Sequence, residues 1–216
     1  MTYAASMTES GDVDLLGALA YAELTAFLRM AEDASQLAPN LTDRAELGSL
    51  AVAEYGHFVL LRDRIAELGA DPESAMAPFA EAFDAWHEQT KPGDWLQALV
   101  KAYVGLGIAL DFYREAARHL EPSIAPLVEE VLADQGRSEF VVDRVRAALA
   151  DDPTQAGRLA LWARRLVGEG LSQAQQVAAA RPQLARLLAD ADQADISRLF
   201  AQLTEEHGKR MAALGI

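Results

Sequence analysis

Four apolar stripes in this chain are each interrupted by a single acid, and this pattern restricts the folds open to it. The stripes recur at three- and four-residue spacing, the period of one helix face. Leu16, Leu19, Ala26, Phe27 and Met30 mark the first, and Leu47, Leu50, Leu61 and Leu68 the second. Leu96, Leu99, Tyr103, Leu106 and Leu110 mark the third, and Leu127, Val131, Val141, Val145 and Ala148 the fourth. Glu23 falls four residues after Leu19, Glu54 four after Leu50, Asp111 four after Gly107, and Asp134 three after Val131. An unpaired buried carboxylate costs several kcal/mol, so each acid requires a partner in the core. Four acids on four such stripes point to helices packed so that their acidic positions face one another.

Turn and cap residues divide the chain accordingly. The first helix is expected from Asp12 to about Asp33, followed by a loop holding Pro39 and Asn40. Asp43 with Glu46 resembles a capping box for the second helix, which Gly69 closes. Asp71-Pro72 opens a shorter helix to about Gln89, and Asp94 caps the next after Lys91-Pro92-Gly93. Glu121-Pro122-Ser123 reads as a turn, and Asp152-Pro153 as a cap with proline at the first helical position. Arg181-Pro182 precedes a last helix ending near Leu214. β-branched and aromatic residues are scattered rather than alternating, so strands are not expected. The fold class is all-α: a four-helix bundle with additional helices. Residues 1–11 are expected to form a flexible N-terminus, and residues 12–216 a single helical domain.

Composition excludes several kinds of function. Acids outnumber bases by 33 to 19, a formal charge of −14, which repels phosphate backbones and argues against a nucleic-acid partner. The absence of cysteine removes disulfides, thiol catalysis, iron–sulfur clusters and thiolate zinc sites. The longest strongly apolar run, Ala102 to Leu110, is nine residues, far short of a membrane span. With no basic, apolar leader at the start, the expected location is the cytoplasm.

The spacing of the acids also matches across the turns. Glu23 lies fifteen residues before Ala38 and Glu54 fifteen after Pro39, so the two face each other if the first loop closes a hairpin. Asp111 lies eleven before Pro122 and Asp134 eleven after Ser123, with the same consequence for the second hairpin. Glu54-Tyr55-Gly56-His57 then places an acid and a histidine three apart on one helix face, where a carboxylate oxygen and an imidazole nitrogen can share a metal. The bland alternative for Glu23, Glu54 and His57 is a buried hydrogen-bond network. Tyr21, Tyr55, Tyr103 and Tyr113 read as core or boundary residues, His87 and His119 as surface groups, and the three tryptophans as packing anchors.

These motifs resemble the ferritin-like proteins related to the tRNA 2-methylthio-N6-isopentenyladenosine hydroxylase. The resemblance rests on Ala22-Glu23-Leu24, on Ala53-Glu54-Tyr55-Gly56-His57-Phe58, on the stretch from Asp134 to Phe140, and on the C-terminal stretch from Thr204 to Gly215. It implies a ferritin-like bundle and, as in hydroxylase members, a non-haem di-iron centre that activates dioxygen. The implied metal ligands are Glu23, Glu54, His57, Asp111 and Asp134. The chain departs from the pattern where a second histidine belongs, because position 137 is Arg137. A guanidinium cannot ligate a metal, and here it would neutralise Asp134 and Asp111 instead. The expected cofactor is therefore one or two iron ions, and the expected partners are dioxygen and a small apolar substrate, with a homodimer as the assembly considered. The alternative is a metal-free ferritin-like scaffold acting by binding or oligomerisation, with Arg137 in place of a metal charge.

Overall fold

A computed structural model describes residues 2–117, 124–131, 137–181 and 193–216. Among these residues the ordered elements are all helical. They are α1 (Thr2–Leu37), α2 (Leu41–Glu67), α3 (Pro72–Met76), α4 (Ala80–Gln89) and α5 (Trp95–Ala117). They continue as α6 (Ala125–Val131), α7 (Arg137–Asp151), α8 (Gln155–Ala180) and α9 (Gln193–Leu214), with a 3-10 turn at Ala77–Phe79 between α3 and α4. No described helix is long and apolar enough to cross a membrane.

Several boundaries follow the expected signals. Asp71 caps α3 by accepting from the Ser74 backbone N–H at 2.9 Å, and Asp94 caps α5 by accepting from Gln97 N–H at 3.0 Å. Gly69 follows α2 at φ +79°, the left-handed conformation that favours glycine. Others differ. α1 begins at Thr2, ten residues before Asp12, and carries its helical hydrogen bonds through that position. Asn40, not Asp43, caps α2, its side chain accepting from Asp43 N–H at 2.9 Å. Asp43 is thereby turned inward, where it is buried and pairs with Arg144 Nε of α7 at 2.6 Å. Asp152 binds Thr154 N–H at 3.1 Å, so Pro153 stands in the turn before α8 rather than at its first position. The turn expected at Glu121-Pro122-Ser123 lies outside the described residues.

α1 and α2 form an antiparallel pair, registered by Phe27 against Tyr55 with ring centroids 5.1 Å apart. Their apolar faces bury Leu15, Leu16, Leu19, Phe58, Leu61 and Ile65 with Phe79 of the 3-10 turn and Val128 of α6. Each such side chain contributes about 1.5–3 kcal/mol of burial. Gly17 lets α3 approach this pair, because a Cβ there would stand 2.7 Å from the Ala75 carbonyl carbon. A second core holds Leu99, Val100 and Val104 of α5 with Val141 and Val145 of α7, Leu159, Trp162 and Leu166 of α8, and Leu214 of α9. The tryptophans fix α8 against its neighbours: Trp86 Nε1–H donates to Leu166 C=O at 3.2 Å and Trp162 Nε1–H to Gln97 C=O at 3.0 Å.

Candidate metal centre

Where the two cores meet, small residues leave space. Ala18, Ala22 and Ala26 recur every fourth position on α1, facing Ala98, Ala102 and Gly105 of α5 and Gly170 and Ala174 of α8. Side chains this short cannot meet across the bundle, and an apolar cavity of about 270 Å³ remains, a little below the usual range for ligand sites. Glu23 and Glu54 form part of its wall.

Glu23 on α1 and Glu54 and His57 on α2 converge there. A ligand atom from each lies within 4.8 Å of the other two, and all three residues are buried. His57 Nδ1 is 3.4 Å from Glu23 Oε2 and 3.6 Å from Glu54 Oε2. Glu54 is fully inaccessible. Burial, reinforced by the neighbouring Glu54 carboxyl, holds Glu23 well above the ordinary carboxylate range. The two acids, Glu23 foremost, push His57 up to about 9 against the opposing effect of burial. Without a metal, His57 and the two acids share protons in one buried cluster, so binding a cation requires proton loss. Two carboxylates and an imidazole suit a divalent ion that accepts oxygen and nitrogen donors and keeps open positions.

The second hairpin contributes differently. Asp111 on α5 is not part of this group; its Oδ2 is 2.5 Å from Arg210 Nη2 of α9, and Arg114 Nη1 lies 3.9 Å from Oδ1. The physical reason is Gly107, one turn before Asp111, whose missing side chain leaves the lane that Arg210 crosses. Arg210 thus supplies a neutralising charge to Asp111. Asp134 and the side chain of Arg137 lie outside the described residues, as does His119. Tyr21 and Tyr55 behave as boundary residues: Tyr21 O–H donates to Asp84 at 3.1 Å, and Tyr55 is exposed.

His87 is a correction. Read from the sequence as a surface group, it is buried, because α4 turns it towards the cavity wall beside Lys101. Lys101 is also buried, and neither it nor Arg210 stands out in the sequence as a core residue. The alanine and glycine positions facing across the bundle are the signal that would have located the cavity.

No curated protein matches the chain. Among solved structures it is similar to "Protein 19 with aldehyde deformylating oxidase activity from Synechococcus" at 18% identity, with a TM-score of 0.64 over 98% of this chain and 90% of that one. A likeness at that identity is one of fold, here a ferritin-like helical bundle. A family model for the ferritin-like domain of actinomycetes matches residues 7–191, most of the described helices and all three residues of the centre, and the chain belongs to that family.

Proposed function

We propose that the chain is a non-haem iron protein of oxidoreductase type, acting with dioxygen on a small apolar substrate. The observation that carries this reading is the convergence of Glu23, Glu54 and His57, two of which, Glu23 and Glu54, line an apolar cavity. Those three side chains would hold the ion, which when bound supplies the one-electron chemistry that dioxygen needs. The cavity would bring an apolar molecule beside them and keep bulk water away. One iron per chain is the expected stoichiometry, since Asp111 is engaged by Arg210. The Synechococcus protein's aldehyde-directed activity is consistent with this class of chemistry.

The reaction type proposed is hydroxylation at iron, as the resemblance to the tRNA hydroxylases implies, with a substrate other than tRNA. The charge of −14 disfavours tRNA. The competing reading, a metal-free scaffold, draws support from the mutual pairing of His57 with both acids. Elemental analysis separates the two. Protein stripped of metal and reloaded with Fe(II) should retain about one iron per chain, and His57→Ala and Glu54→Ala should lose it. Iron content unchanged by both substitutions would remove the centre as the site.

A further inference from the structure

The cavity lined by Glu23 and Glu54 also reaches a second set of polar groups. Asp33, ten residues beyond Glu23 on α1, lines one end, about 15 Å from Glu23 along the helix at 1.5 Å per residue. Lys101 of α5 and His87 of α4 line the same end. Lys101 is 6% exposed; its Nζ donates one long hydrogen bond, 3.4 Å, to the His87 carbonyl and sits 4.9 Å from the Trp86 ring centroid. An ammonium has three N–H donors, so this one has capacity left over. Asp33, the acid whose charge it feels most, forms no ion pair with it. Arg29, a further cation nearby, is taken by Glu32 at 3.2 Å and Glu88 at 3.8 Å. His87 is 8% exposed, and its Nδ1 is buried with no hydrogen-bond partner among the described residues. A buried cation and a buried unpartnered ring nitrogen at the end of an apolar cavity are each costly as they stand. One bound group that accepts from both removes both costs.

We propose that this end is a headgroup subsite, and that the cavity binds an apolar chain bearing one carboxylate. The carboxylate accepts from Lys101 Nζ and from His87 Nδ1–H, and the far end of the chain lies at Glu23 and Glu54. The orientation rests on the oxidase reading above, which it deepens: the position presented to the iron is remote from the acid group. Binding itself needs no metal, because Lys101 and His87 belong to other helices than the three metal ligands.

Calorimetry on metal-free protein tests this with decanoate and its neutral methyl ester, methyl decanoate, as probes. Wild-type protein should bind the acid at least about tenfold tighter than the ester, as expected for a hydrogen bond to a charged group. Lys101→Met should abolish that preference by weakening decanoate about tenfold while leaving the ester within about twofold. Equal affinity of wild-type protein for acid and ester, undetectable decanoate binding, or a preference that survives Lys101→Met would each overturn the subsite. If Lys101→Met does not fold, the acid-over-ester preference of the wild-type protein decides. Iron retention without acid preference removes the subsite alone, and acid preference without iron removes the oxidase reading alone.

Discussion

Arg210 of α9 crosses to α5 and sets its Nη2 2.5 Å from Asp111 Oδ2, with both side chains largely buried. Its path runs over Gly107, where a Cβ would stand 2.7 Å from Arg210 Cδ and Cζ. The three residues therefore act as one unit that ties the last helix to the bundle beside the cavity. Gly107→Ala should displace the guanidinium and destabilise the protein by about 1–3 kcal/mol in urea denaturation. In an Arg210→Met background the same change should cost less, because the flexible thioether yields and alanine favours the helix by about 0.5–1 kcal/mol. Equal losses in both backgrounds would show that the two positions are uncoupled.

The Glu23–Glu54–His57 group should reveal its charge balance in the metal-free protein. His57→Leu leaves two buried acids without their cation, at a cost of about 3–5 kcal/mol at pH 7. Replacing all three by leucine or methionine should recover most of that loss, since no buried charge then remains. Denaturation midpoints of the single and triple variants check this; a triple variant weaker than the single one contradicts it.

Glycines in α1 and α2 should respond oppositely to alanine. At Gly17 the new Cβ meets the backbone of Ala75, which cannot swing aside, so Gly17→Ala should lower stability by about 1–3 kcal/mol. Gly48 has nothing within 4 Å, and Gly48→Ala should raise stability by about 0.5–1 kcal/mol through helix propensity alone. Thermal melts of the two variants give the signs directly.

His87 should shape the acid limb of stability. Burial, then the Lys101 and Arg29 charges, push it from 6.5 down to about 3, so the folded chain keeps it neutral where the unfolded chain protonates it. The unfolded state thus binds the extra proton between about pH 6.5 and 3, and its contribution to stability falls as pH drops through that window. The slope from this group is at most about 1.4 kcal/mol per pH unit. Asp33, raised to about 6 chiefly by burial, acts in the opposite sense, so the informative quantity is the difference between wild-type and His87→Gln. That difference should narrow as pH falls from 7 to 4; a constant gap would place the imidazole in contact with solvent.

Helix periodicity, caps and acids on apolar stripes are legible in the sequence because they are local: each depends on residues three or four apart. They placed Glu23, Glu54 and His57 together, since matched distances from one short loop fix the register of an antiparallel pair. Cap choice was harder to read, as Asn40 and Asp43 compete for one helix start and Arg144, a hundred residues away, draws Asp43 inward. The partners of Asp111, His87 and Lys101 were decided only by tertiary packing. Arg210 reaches Asp111 because α9 lies along the glycine lane of α5, and His87 is buried because α4 folds back over Lys101. The cavity follows from where alanines and glycines of α1, α5 and α8 face one another. Sequence determines which side chains each helix offers, and the crossing of helices distant in sequence determines which of them meet.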